Sequence, residues 1–266
     1  MDVEYVASQL EKQLREYIEN TNARGVVVGL SGGIDSAVIY NLCINAFKET
    51  YHWIYPIYLP DKYSTPENLS LVEDLIHPDT IALHIVDIES IFKAHHEHKL
   101  WMKSNPIADA NLRSRIRMCE LYHIANAYNL LVVGTTNKTE AYLGYYTKYG
   151  DGAVDIEPIA DLYKHEVYEL GKFYRLPEEV LTKPPSAGLW EDQTDEKELG
   201  YSYDVLDRVV HFLSNGYKSS EEYTNAILDL SEHKLGPAEV KLVKDLHSGN
   251  YHKMKTPPSF KIKRRK

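Results

Sequence analysis

The chain has 266 residues, 43% hydrophobic and 26% charged, with a formal net charge of −9. It is long enough to bury a real core without staples, and its acidic balance argues against general nucleic-acid binding, which needs a basic surface. Two cysteines, Cys43 and Cys119, give neither a disulfide framework nor a zinc site and fit a reducing, cytoplasmic compartment.

The first residues, "MDVEYVASQLEKQLREYIE", place Val3, Val6, Leu10, Leu14 and Ile18 at helical spacing; they are amphipathic and acidic, unlike a signal peptide. No stretch approaches the roughly 20 apolar residues of a membrane span. "GVVVGL" (25–30) predicts a buried strand and 35–49 a helix. "WIYPIYLP" (53–60) is strand-like although Pro56 weakens it. "TPENLSLVEDLI" (65–76) opens as a helix, with a cap residue, a proline and an early Glu. "TIALHIVDI" (80–88) predicts a strand, 107–129 a long helix, and "LLVVGTT" (130–136) another strand. The strands alternate with helices and are apolar throughout, the pattern of a parallel sheet covered on both faces. The expected fold is therefore a three-layer α/β/α architecture with a mostly parallel central sheet, Rossmann-like, followed by a helical C-terminal part. We read one domain over 1–266, with the core sheet at about 22–160 and the helical and lid region at about 161–266. The "HHEH" cluster at 95–98 lacks metal spacing and reads as a solvated face, and the basic "KIKRRK" at 261–266 as a solvated tail, with a phosphate-binding patch as the alternative.

In an open α/β sheet, ligands sit at the carboxyl ends of the strands. The loop Gly29-Leu30-Ser31-Gly32-Gly33-Ile34-Asp35-Ser36 lies there, where glycines admit an anion, serines donate, and the helix N-terminus attracts phosphate. Asp35 would repel a phosphate unless a hard cation such as Mg²⁺ lay between them. The other reading is a tight turn with Ser31 or Asp35 as an ordinary N-cap. The sequence fits neither the lysine-bearing P-loop nor G-x-G-x-x-G. A second loop, Gly134-Thr135-Thr136, ends a strand at the same edge, and Glu140 after it is either a second cation ligand or a helix-capping acid. "TKYGDGAVD" carries Lys148, Asp151 and Asp155 between glycines, as a polar-ligand grip or a plain turn. "KPPSAGLWEDQTDE" (183–196), with turn residues, an exposed Trp and many acids, reads as a mobile lid.

"SGGIDS" resembles the pyrophosphate-binding loop of the ATP pyrophosphatase superfamily, whose members adenylylate a substrate oxygen and release pyrophosphate. The run from Arg115 to Glu196, with "SGGIDS" and the C-terminal "HKMKTPP" (252–258), is similar to the ammonia-dependent NAD⁺ synthetases over about residues 24–258. The resemblance implies that nicotinate adenine dinucleotide (deamido-NAD⁺), ATP and ammonia give NAD⁺, AMP and pyrophosphate through an adenylate. It further implies that the loop Gly29 to Ser36, with Thr135, Lys164 and Ser186, holds ATP, and that Asp35 and Glu140 bind Mg²⁺. Arg115, Lys148, Asp155, His252 and Lys253 would contact the dinucleotide, and Asp151 would be the acid near the ammonia site. Asp151 and Lys164 would be the catalytic pair, and the family's homodimer would place the substrate site at its interface. On residues alone, His252 reads as a solvated surface histidine, and Met254 departs from the more basic tail of the family. With the length taken up by this pattern, no glutaminase domain is expected, so free ammonia is the expected nitrogen source. A tRNA-modifying or GMP-forming ligase, and a non-catalytic nucleotide sensor, are the rivals.

Overall fold

The structure is a computed structural model that describes residues 1–78, 80–97, 105–188, 190, 193–216 and 219–262. Four parallel strands form its sheet: β1 (Gly25–Leu30), β2 (Trp53–Tyr58), β3 (His84–Ile85) and β4 (Leu131–Val133), in the order β3-β2-β1-β4. β1 is central and pairs with β2 along its whole length and with β4 over Val26 to Val28.

Alternation along β1 sorts the two faces. Val26, Val28 and Leu30 enter one apolar cluster with α1 (Val3–Glu19), α2 (Ile34–Phe47) and α7 (Lys164–Phe173). Val27 enters a second cluster with Tyr55, Ile57 and residues of α4 (Glu89–Glu97) and α5 (Pro106–Tyr128). Both faces are thus covered, which is why β1 and β2 read as continuous apolar runs. A third cluster joins α6 (Lys138–Leu143), α10 (Tyr203–Ser214), α11 (Ser220–Glu232) and α12 (Pro237–Asn250) through Leu143, Leu206, Val210, Leu230 and Val243. The remaining helices are α3 (Pro66–Leu75), α8 (Glu178–Thr182) and α9 (Asp195–Leu199).

Pro56 lies inside β2. The carbonyls of Ile54 and Tyr58, two residues either side, face β3 and accept from Ile81 and Val86. The donor that Pro56 lacks therefore falls on the side where β3 pairs through only two residues, not on the side of β1. The 80–88 segment shrinks to His84–Ile85, both exposed, because it runs along an edge with one neighbour. Thr65 caps α3 by accepting from the Asn68 amide, as the sequence predicted.

Two further expectations change. Trp190 is half-buried and faces a cavity, and the lid segment contains the short α9. In the "HHEH" cluster His95 is exposed, but His96 is half-buried against the Phe92 ring, 5.5 Å between centroids; His98 lies outside the described residues. Of "KIKRRK", residues 263–266 lie outside them also. Cys43 is buried and Cys119 exposed, both as free thiols; burial pushes the Cys43 thiol well up. Among the described residues no helix is long and apolar enough to cross a membrane.

Candidate active site

The carboxyl ends of β1, β2 and β4 open into a cavity of about 1790 Å³. Its floor is the loop between β1 and α2. The N-cap of α2 is Gly33, in extended backbone, and no side chain caps the helix. Ser31 Oγ instead accepts from the Gly33 amide at 3.2 Å, and Ser36 Oγ donates to the Gly33 carbonyl at 3.0 Å and accepts from the Ser31 amide at 3.2 Å. The N-cap alternative for Ser31 and Asp35 therefore does not hold: the serines shape the loop and leave the helix end facing the cavity. Gly32, at φ +74°, is the one loop position that requires glycine.

Asp35 and Glu140 meet at Lys164. The Lys164 ammonium, 2% exposed, donates to Asp35 Oδ2 at 2.5 Å and to Glu140 Oε1 at 3.1 Å. The three come from the starts of α2, α6 and α7, which the adjacency of β1 and β4 brings together. Glu140 is the helix-capping acid of its two sequence readings, and its second oxygen is turned to Lys164. Its Oε2 accepts from the Asn137 amide in a capping box, while Oε1 meets Lys164 and the Tyr203 hydroxyl at 3.1 Å. Asn137 Nδ2 donates to Asp35 Oδ1 at 3.1 Å and Tyr203 reaches on to Asp195 Oδ2 at 3.0 Å. Burial lifts the Glu140 carboxyl to about 7, against the pull of Lys164. Burial alone would lower Lys164; Asp35, Glu140 and Asp195 outweigh it and raise its pKa. Asp207 holds the start of α7, accepting from the Lys164 and His165 amides at 3.3 and 2.9 Å and from Thr139 Oγ1.

Asp35 and Glu140 keep 19% and 14% exposure against 2% for the lysine between them, and all three line the cavity. Two carboxylates with spare oxygen lone pairs suit a hard cation that takes its remaining ligands from phosphate. Among the described residues no three acids, histidines or cysteines are grouped to hold a metal by themselves.

Asp151, which also lines the cavity, is gripped reciprocally. Its Oδ1 accepts from Ser114 Oγ at 2.6 Å and from the Thr147 amide at 3.1 Å, and its own amide donates to Ser114 Oγ at 3.0 Å. Thr135, Ser186 and Lys253 also line the cavity. Lys253 Nζ donates to the carbonyls of Gly144 and Tyr146 at 2.7 and 2.9 Å, and burial lowers its pKa. Lys148 donates to the His252 carbonyl at 2.6 Å, and exposed Arg115 donates to the Lys148 carbonyl at 3.2 Å. The tail is thereby tied to the "TKYGDG" loop, with the His252 side chain exposed. Asp155 stands apart from the cavity wall, accepting from the Val132 amide at 2.8 Å and from the Tyr122 hydroxyl.

Sequence reasoning missed Asn137, Tyr203, Asp195, Ser114 and Lys183. Ser114 and Asn137 adjoin Arg115 and Thr136 in sequence, but their partners Asp151 and Asp35 are 37 and 102 residues away and meet them only after folding. Glu157 was also missed: it accepts from the Thr136 amide at 3.2 Å behind β4, and burial raises it to about 7.

A parallel sheet with an uncapped glycine loop at its carboxyl edge, and a lysine held between two acids beside it, defines an α/β enzyme built for a phosphorylated ligand. A family model described as NAD synthase matches residues 6–257, and the chain belongs to that family. It is 41% identical over 262 residues to the NH(3)-dependent NAD(+) synthetase of Methanocaldococcus jannaschii, covering 98% of each chain. It is similar in structure to the NMN synthetase from Francisella tularensis (31% identity, TM-score 0.83, 98% of this chain and 100% of that one). It also resembles the NH3-dependent NAD synthetase from Campylobacter jejuni in complex with the nitrate ion (30% identity, TM-score 0.78, with the same coverage).

Proposed function

We propose that this chain is an ammonia-dependent NAD⁺ synthetase that amidates deamido-NAD⁺ at the expense of ATP, the last step of NAD⁺ formation. Family membership at this identity and coverage supports the reaction, and the observation that ties it to the molecule is the Asp35–Lys164–Glu140 cluster beside the uncapped loop.

A carboxylate is a poor acceptor for ammonia because an oxide would have to leave. In the first half-reaction the nicotinate carboxylate attacks the α-phosphorus of ATP, and pyrophosphate departs. The loop from Gly29 to Ser36 would bind the phosphates with its amides and hydroxyls, Thr135 and Ser186 would contact the nucleotide, and Lys164 would face the charge that grows there. Mg²⁺, held by Asp35 and Glu140, would neutralise phosphate oxygens when bound. In the second half-reaction ammonia attacks the acyl carbon and AMP leaves. Asp151, whose Oδ1 is already engaged, would offer its other oxygen to ammonium and accept its proton. Arg115, Lys148, Asp155, His252 and Lys253 are assigned to the dinucleotide. The exposure of Arg115 and Asp155 in the single chain suits a site completed by a second copy in a homodimer. Segment 183–200 would close over the adenylate and exclude water. We place the enzyme in the cytoplasm.

The likeness to an NMN synthetase favours one second reading, a mononucleotide acid as the amidated substrate. Exchange of labelled pyrophosphate into ATP separates the two. Exchange that needs deamido-NAD⁺ supports the proposal. Exchange that needs only nicotinate mononucleotide supports the second reading, and exchange with neither refutes both.

A further inference from the structure

Lys183 lines the cavity and, like Lys62, Arg117 and Lys197, has no task in the reaction as described. Pro184 ends α8, and Lys183 just before it is extended, as a residue preceding proline prefers. Its side chain turns back across the cavity floor. Nζ donates to the Gly32 carbonyl at 3.1 Å and to Asn68 Oδ1 at 2.5 Å. Gly32 belongs to the loop, and its left-handed backbone sets that carbonyl against the lysine: a Cβ there would stand 3.4 Å from Nζ. Asn68 belongs to the first turn of α3.

Two features set this ammonium apart from Lys164. Both of its partners are neutral oxygens, and no carboxylate among the described residues pairs with it. Burial lowers its pKa, with no opposing carboxylate to raise it again. A half-buried cation without an anion is costly, and an ammonium has three donors of which two are engaged here. It lies one residue from the serine-shaped turn and the uncapped start of α2, where the phosphates would sit.

We propose that Lys183 binds the pyrophosphate end of ATP, so that the arm beginning at 183 is tied to the loop through the nucleotide. This rests on the loop reading given above. Lys183 is a point charge carried to the phosphates by a segment outside the loop, and it stays with the pyrophosphate as the bond to the α-phosphorus breaks.

The test is calorimetric titration of the full chain with inorganic pyrophosphate and with ATP, with melting temperature recorded for every variant. Lys183→Met should weaken both ligands by about 10- to 100-fold, while deamido-NAD⁺ affinity holds. Lys183→Arg should keep most of the affinity. Asn68→Ala removes a neutral anchor and keeps the charge, so it should stay within a few-fold of wild type. If Lys183→Met binds pyrophosphate as wild type does, or if Asn68→Ala weakens it as much as Lys183→Met, the lysine is a structural tie and the proposal fails. Ser36→Ala is the control for the loop. Weakened by Ser36→Ala but not by Lys183→Met, pyrophosphate binding refutes the lysine alone; unaffected by Ser36→Ala, it refutes the loop reading itself.

Discussion

Removing Lys164 tests the cluster most sharply. The ammonium is 2% exposed and stands between two acids at 2.5 and 3.1 Å, with the Tyr203 ring 4.9 Å from it and Asp195 beyond. Lys164→Met keeps the apolar stem and deletes the charge. Asp35 and Glu140 then face one another with no cation between them. Breaking a buried pair in this way costs about 3–5 kcal/mol, because a charge is left buried and uncompensated. At roughly 2–4 °C per kcal/mol for a chain near this size, the melting temperature should fall by about 10 °C. Adding Glu140→Gln removes the repulsion, so the double variant should recover about 1–3 kcal/mol relative to the sum of the singles. Thermal and urea unfolding of the four proteins in a double-mutant cycle give both quantities. Pyrophosphate release should drop at least about 100-fold in Lys164→Met. A stability loss below about 1 kcal/mol, or singles that add within about 0.5 kcal/mol, would refute the idea that the lysine neutralises a coupled acid pair.

Asp35→Ala should raise the Mg²⁺ concentration needed for half-maximal pyrophosphate release, and an unchanged Mg²⁺ dependence would sink the metal assignment. Asp151→Asn should spare adenylate formation and slow amide formation, and Ser114→Ala should do the same more mildly by raising the KM for ammonia; a parallel loss of pyrophosphate release in either would contradict the assigned role. Glu157 gives a pH prediction. Its carboxyl sits at about 7 in the fold against 4.5 unfolded, chiefly through burial. The protonated form is the favoured one, so its contribution is complete below about pH 4.5 and is lost as pH rises through 7. The gap corresponds to roughly 3 kcal/mol. Glu157→Gln should gain up to that much over wild type at pH 8 and little at pH 5, read by unfolding at both; an equal gain at both would refute it.

Local patterns carried most of the fold into view. β1 and α2 are legible because an apolar run meets a Gly/Ser turn and a helix period, and α3 and α5 because each opens with a cap and a proline. What stays hidden depends on strand order. Asp35 and Lys164 are 129 residues apart, and nothing local says that β1 and β4 are neighbours. The resemblance supplied that pairing as two metal ligands and a nucleotide contact; the structure adds that the lysine lies between the acids. β3 was overread because an apolar run at a sheet edge looks the same as one inside. Trp190 was taken as exposed because its neighbours are polar, yet it turns toward a cavity wall. Lys183 escaped notice because its partners, Gly32 and Asn68, come from two other segments.

The most direct test is a steady-state assay of the purified chain with ATP, Mg²⁺ and deamido-NAD⁺, comparing ammonium with glutamine and deamido-NAD⁺ with nicotinate mononucleotide. NAD⁺ and AMP formed in equal amounts from deamido-NAD⁺ with ammonium is the predicted result. Neither NAD⁺ nor AMP under any of these conditions would contradict the account at its centre.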